Sequence, residues 1–198
     1  MAINHLLRAA ILCDKPNPRF SYIAPTYRQA KAVAWDYLKQ FAGAIPMVRF
    51  HETELRCDLP NGARIQLLGA ENPDSLRGIY QDGTCLDEMA DMPESLFPEI
   101  IRPALSDRKG WALFIGTPRG HNAFYELYDA AERQDDWHTA LFKASETGIL
   151  DDEELEAASS MMSPDQYAQE YECSWVANVP GAVYGKELQE LHEMGRIT

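Results

Sequence analysis

Apolar positions along the chain alternate between helical stripes and short continuous runs, and that alternation predicts a layered α/β domain. Ile3, Leu6, Leu7, Ala10 and Ile11 recur at helical spacing and predict a helix from Ala2 to Leu12, ended by Asp14-Lys15-Pro16-Asn17-Pro18. Phe20-Ser21-Tyr22-Ile23-Ala24 reads as a short strand stopped by Pro25-Thr26. Tyr27 to Phe41 then reads as an amphipathic helix with Ala30, Val33, Ala34, Tyr37, Leu38 and Phe41 on its apolar side. Two alternating arms, Glu54 to Leu59 and Ala63 to Leu68, flank Pro60-Asn61-Gly62; Asn-Gly favours a tight turn, so they predict a β-hairpin.

A polar loop or short helix from Glu71 to Arg77 leads to a strand that closes on Cys85-Leu86-Asp87-Glu88. Pro93 to Leu105 reads as a helix interrupted at Pro98 and ended near Pro103. Trp111-Ala112-Leu113-Phe114-Ile115 is wholly apolar, the pattern of a buried parallel strand, and stops at Gly116-Thr117-Pro118-Arg119-Gly120. Asn122 to Arg133 reads as a helix and Trp137 to Lys143 as a strand. Two acidic helices follow, Asp151 to Ser160 and Ser163 to Glu172, the second opened by a Ser-Pro-Asp cap.

Composition narrows the class. A chain of 198 residues, 45% hydrophobic and 25% charged, suits one globular domain with a sizeable core. No apolar run reaches the ~18–20 residues that span a bilayer. The first residues lack a basic stretch, long apolar run and cleavage site, so a cytoplasmic protein with no membrane partner is expected. Cys13, Cys57, Cys85 and Cys173 lie far apart without a CxxC, which argues against zinc and for free thiols. The net charge of −13 is unevenly spread: residues 1–143 carry 16 basic against 19 acidic side chains, and residues 144–198 carry 2 against 12. The first three quarters are therefore near neutral and compatible with a polyanionic partner.

Three apolar strands end in distinctive punctuation: Ala24-Pro25-Thr26, Asp87-Glu88 and Gly116-Thr117-Pro118. In an open α/β sheet, ligands gather outside the carboxyl ends of the strands, so all three are expected at one crevice. An adjacent Asp-Glu pair there suits nucleotide hydrolysis, the first carboxylate holding Mg²⁺ through water and the second polarising the attacking water. A threonine hydroxyl, which both donates and accepts, suits detection of a terminal phosphate. Each feature alone also fits an ordinary strand-end turn or helix cap.

In this order the motifs resemble the ATPase domain of the large terminase subunit, the DNA-packaging motor of tailed bacteriophages. The matching stretches are Tyr22-Ile23-Ala24-Pro25-Thr26-Tyr27, Ser75-Leu76-Arg77-Gly78, Leu86 to Asp91, Phe114 to Gly120, Tyr167 to Trp175 and Gly181-Ala182-Val183-Tyr184. The resemblance implies a P-loop NTPase-like fold of the ASCE/RecA kind, a mostly parallel sheet flanked by helices, with the hairpin as an insertion. It implies ATP and Mg²⁺ as cofactors, with Asp87 as the Walker B magnesium carboxylate and Glu88 as catalytic base. Gly116 and Thr117 fall in the nucleotide-sensing coupling motif, and Arg77 becomes a trans-acting arginine finger. The plainer reading of Arg77 is a surface ion pair with Asp74 or Asp82. Tyr27, Arg28 and Gln29 open a helix that in translocases meets DNA, although a solvated helix start explains them more simply. Implied partners are double-stranded DNA, the portal protein, the small terminase subunit and further copies in a ring, in the host cytoplasm and transiently at the procapsid.

The phosphate-binding pattern GxxxxGK[ST] is missing from the 198 residues. The helix from Ala2 to Leu12 resembles the one that follows such a loop. The resemblance therefore implies residues 1–175 as an ATPase domain without its first strand and P-loop, and 176–198 as a linker toward an absent nuclease domain. Asp151-Asp152-Glu153-Glu154 is read as helix N-terminal charge and not as nuclease ligands. Little hydrolysis is expected from the chain alone, and a missing central strand would expose apolar surface and favour aggregation. Two alternatives stand beside this reading: a superfamily 2 helicase-like translocase and a non-catalytic terminase remnant that binds partners. Against the first, Asp87-Glu88 is followed by Met-Ala-Asp.

Overall fold

The computed structural model describes residues 1–176 and Met194. Gly181 to Tyr184 and nearly all of the 176–198 linker lie outside the described residues. Backbone contacts divide the chain into two compact units, Met1–Gly116 and Thr117–Thr198.

The first unit is built on a six-stranded sheet: β1 Arg19–Ala24, β2 Arg49–His51, β3 Arg56–Asp58, β4 Arg64–Gly69, β5 Gly83–Leu86 and β6 Trp111–Phe114. Their spatial order is β2-β3-β4-β1-β5-β6. β4, β1, β5 and β6 run parallel, while β2 and β3 run antiparallel at one edge. The predicted hairpin is β3–β4. Gly62, at φ +85, supplies the left-handed turn residue, and Asn61 Oδ1 accepts the Ala63 N–H at 3.1 Å. Asn61 Nδ2 also donates to the Ala10 carbonyl at 2.9 Å, so the hairpin tip satisfies an orphan acceptor at the end of a helix 51 residues away.

That helix, α1 (Ala2–Leu12), buries Ile3, Leu6, Leu7 and Ala10, while Ile11 is exposed. It packs on one face of the sheet with Phe20, Tyr22, Ala24, Ile65, Leu67 and Cys85. The same face receives a continuous helical stretch, α2 (Tyr27–Ala30), a π turn (Lys31–Trp35) and α3 (Asp36–Ala42). Its buried side is Ala30, Ala34, Trp35, Leu38 and Ala42, whereas Val33, Tyr37 and Phe41 are exposed. Ala30, Ala34 and Leu38 thus hold from the predicted face and Val33, Tyr37 and Phe41 are corrected: the π turn adds a residue to one turn and moves later side chains round by about 100°. Tyr37 and Phe41 stack on the outside, 6.0 Å between ring centroids.

The other face is covered by a π segment (Leu96–Ile101) running into α4 (Arg102–Ser106), with Phe97 edge-on to Phe114 at 4.7 Å. Pro103 does not end this helix; it lies in the first turn of α4, directly after the π segment. β6 is parallel as expected but not fully buried. It is the outer strand of the sheet, and Trp111 to Phe114 are all half-buried.

The second unit contains α5 (Ala123–Ala131), α6 (Ala144–Thr147), α7 (Asp152–Met161) and α8 (Pro164–Glu170). Asn122, Asp151 and Ser163 cap three of these, Ser163 through a reciprocal capping box with Gln166. Asp151 accepting the Glu154 N–H at 2.9 Å bears out the helix-start reading of that acidic run. Trp175 packs among Phe124, Tyr125 and Tyr128, with centroids 5.4 to 5.6 Å away. The expected strand from Trp137 to Lys143 is absent. That segment instead lies beside residues 171–173, through Ala144 N–H to the Tyr171 carbonyl at 2.7 Å and Cys173 Sγ to the Phe142 carbonyl at 3.5 Å.

Candidate active site at the carboxyl edge of the sheet

Parallel pairing carries the carboxyl ends of β1, β5 and β6 to one edge. Register aligns Ile23 with Leu86 and Leu86 with Phe114, so Ala24, Asp87 and Ile115 emerge side by side. The ladder continues past the strand ends: Asp87 N–H donates to the Ile23 carbonyl at 2.8 Å, and Ile115 N–H to the Leu86 carbonyl at 2.9 Å. The backbone of Asp87 is thereby fixed from one side and that of its predecessor from the other.

Asp87 is half-buried and its side chain is oriented at both oxygens. Oδ1 accepts the N–H of Glu88 at 3.2 Å, and Oδ2 accepts the phenol O–H of Tyr22. Burial raises the Tyr22 pKa far above the usual phenol value and Asp87 raises it further, so the hydroxyl stays a donor. Glu88 is exposed and sits in the left-handed region at φ 57, ψ 48, opening a 3₁₀ turn over Met89–Asp91. A non-glycine residue there costs about 1–3 kcal/mol, and such strain persists where surrounding structure imposes it. Here Met89 N–H donates to the Ile115 carbonyl at 3.0 Å and pins the turn to β6. The result is two adjacent acidic residues at the end of β5, on the edge where ligands of α/β sheets gather.

At the end of β1, Thr26 caps α2 by accepting the Gln29 N–H at 3.2 Å, and Glu71 adds both carboxylate oxygens to the Tyr27 N–H at 2.9 and 3.0 Å. Tyr27 and Gln29 thus lie in the first turn of the helix, their N–H groups engaged in its cap. Gly69 is required at this crossing, since a Cβ would stand 2.2 Å from the Tyr27 nitrogen. Arg77 ends the short 3₁₀ helix Pro73–Leu76 and is half-exposed; its guanidinium meets Asp74 at 2.8 Å and Glu99 at 3.5 Å. The ion pair with Asp74 is present, and Glu99 takes the place imagined for Asp82. Gly116 closes the first unit, and Thr117, half-buried, opens the second.

Asp82 belongs to the opposite end of β5. It is buried and receives Arg108 at 3.0 and 3.2 Å, Lys15 at 3.2 Å and the Arg19 N–H at 2.9 Å. Burial pushes its carboxyl up, and these donors outweigh that to hold it below the ordinary carboxylate range.

Sequence reasoning missed Tyr22 and Glu71 as site-edge residues. Both act across long separations, 65 and 44 residues from their partners, and only the strand register reveals them.

A family pattern described as terminase large subunit, T4likevirus-type, N-terminal, matches residues 6–189. The large terminase subunit of Thermus virus P23-45 is 33% identical over 136 residues, covering 59% of this chain and 28% of that protein. The chain thus spans under a third of that relative's length. The ATPase domain of the Thermus phage P74-26 large terminase superposes with a TM-score of 0.64 at 26% identity, over 85% of this chain and 81% of that domain. The large terminase of another thermophilic bacteriophage, solved in complex with ATP-γ-S, shares the fold at a TM-score of 0.70 and 19% identity, over 88% and 43% of the two chains. The sheet is accordingly that of a P-loop NTPase-like large terminase domain, a mixed α/β layer flanked by helices. The chain belongs to the N-terminal family of T4likevirus-type terminase large subunits.

Proposed function

We propose that this chain is part of the ATP-hydrolysing motor that drives double-stranded DNA into a viral procapsid. The observation that carries the reading is the Asp87-Glu88 pair at the end of the interior parallel strand β5, with Asp87 oriented at both oxygens and Glu88 held in a strained turn. In this reading residues 1–175 are ATPase domain and 176–198 lead toward a nuclease domain. The motor acts in the host cytoplasm as a ring on the portal protein, together with the small terminase subunit. Among the described residues no helix is long and apolar enough to cross a membrane.

The donor set suits Mg²⁺. That ion takes oxygen ligands, keeps several waters and needs only one or two carboxylates beside nucleotide phosphates. Asp87 offers an oriented hard oxygen, and the described residues contain no cluster of three metal-binding side chains that would suggest a closed protein cage. Bound there, Mg²⁺ would neutralise phosphate charge. Asp87 would hold its water shell, Glu88 would accept the proton of the attacking water, and Thr117 with Gly116 would couple the presence of the terminal phosphate to movement.

Arg77 serves a neighbouring subunit's nucleotide, where arginine fingers contribute about 10³–10⁵ in rate. In the chain by itself its guanidinium is paired with Asp74 and Glu99, and the proposed role needs it to exchange these partners for phosphate.

Without GxxxxGK[ST] in its 198 residues, the chain alone has little means of cradling phosphates. ATP turnover by the purified chain should stay at background. Mixed with a full-length large terminase carrying the equivalent of Arg77→Ala, it should restore part of the lost hydrolysis. Strong Glu88-dependent turnover by the chain alone would refute the first expectation, and absence of rescue would count against a trans-acting Arg77.

A further inference from the structure

We propose that Tyr22 is a positioning residue that sets the rotamer of the Asp87 carboxylate for the metal, an inference that rests on the reading of Asp87 given above. Strand register brings the two together. Tyr22 on β1 stands opposite Cys85 on β5, and side chains alternate between faces, so Asp87, two residues on, shares the face of Tyr22. Diagonal neighbours on one face of a sheet lie within reach of an aromatic side chain. Cys85 is small, so the Tyr22 ring can lie along β5 and deliver its hydroxyl past the strand end to Asp87 Oδ2.

The contact is built to be rigid. Tyr22 is 2% exposed and packs with α1 and the interior strands, so the ring has a single seat. The opposite face of the same two strands provides a contrast. There Ser21 and Thr84 are fully buried and satisfy one another at 2.7 Å, a closed pair without reach toward the edge. The Tyr22 hydroxyl instead ends on a half-buried carboxylate that still has solvent access.

The effect on the site follows from counting lone pairs. Oδ1 accepts from the Glu88 N–H and Oδ2 from Tyr22, so each oxygen keeps a further acceptor direction and neither can rotate without losing a hydrogen bond. A carboxylate fixed in this way presents its free lone pairs in one direction and loses less rotamer freedom when a hydrated cation arrives. Tyr22→Phe keeps the ring and its packing and removes only the donor.

The test uses the 198-residue chain and Mn²⁺ as a paramagnetic stand-in for Mg²⁺, read as broadening of backbone amide signals, with thermal unfolding to verify each fold. In the wild type, broadening should centre on Asp87 and Glu88, and Asp87→Asn should abolish it. Tyr22→Phe should weaken the apparent Mn²⁺ affinity by about 10-fold or more, the loss typical when a hydrogen bond that orients a metal-binding carboxylate is removed. In the Asp87→Asn background, Tyr22→Phe should change nothing further. Wild-type affinity in a folded Tyr22→Phe chain would overturn the positioning role. Broadening that is absent, or unchanged by Asp87→Asn, would instead overturn the reading of Asp87 itself.

Discussion

β5 carries an aspartate at each end, and their surroundings give them opposite duties. Asp82 is enclosed by Arg108, Lys15 and a backbone N–H, and the Arg108 and Arg19 guanidinium groups also flank the Tyr80 ring at 5.0 and 5.8 Å. Asp87, by contrast, is met by a phenol and its own neighbour's N–H. Asp82 is therefore a structural staple, whereas Asp87 keeps acceptor capacity open at the edge where we propose the metal binds. The staple has a pH signature. The Asp82 pKa is lower in the folded chain than in the unfolded one, so it adds stability above about pH 3.9, which is lost as pH falls through the folded value. Asp82→Asn should cost about 2 to 3 kcal/mol at pH 7, toward the low end for a buried pair because both cations keep some solvent. Thermal melts between pH 7 and pH 3 should show the wild type losing its advantage over the variant as acid is added. An advantage that does not shrink at all as the pH falls from 5 to 3 would contradict this.

At the level of elements, the helical stretch over residues 27–42 shows what a pattern can and cannot give. Its existence was legible from its spacing, and so was its start, because Pro-Thr supplies both a strand stop and a cap. Its buried face was legible only in part, Ala30, Ala34 and Leu38 but not Trp35 or Ala42, because a π turn obeys packing against the sheet and leaves no periodic mark. The packing test is direct: Leu38→Ala should cost about 3 kcal/mol, since Leu38 is fully buried. Val33→Ala should cost less than about 0.5 kcal/mol, since Val33 is 52% exposed. Leu38 lies on both faces, so the denaturant midpoint of Val33→Ala decides between them, and a loss as large as that of Leu38→Ala would favour the face expected from the sequence. The residues from Trp137 to Lys143 failed for the reverse reason. They alternate like a strand, but a strand needs a pairing edge, and the nearby backbone partners are residues 171–173 of a helical unit. The Asp87-Glu88 pair was legible because an apolar run followed by carboxylates is a local signal. The hydroxyl that orients it was not, because it lies 65 residues away and depends on register.

For the whole molecule, charge and topology divide the labour. The parallel strands end at one edge with the Asp-Glu pair, and the acidity gathers after residue 143. The chain belongs to the terminase family, nucleotide chemistry at that edge is what we propose for it, and the loop pattern that would hold the phosphates is missing from the 198 residues. The decisive measurement is ATP turnover in a folded chimera that joins a β-strand and GxxxxGK[ST] loop of the family pattern ahead of Met1, compared with its Glu88→Gln counterpart. Mg²⁺-dependent turnover that falls by about 10²-fold or more in Glu88→Gln is the expected result. Turnover that is absent in the folded chimera, or indifferent to Glu88, would contradict the assignment of this edge as the motor's hydrolytic site.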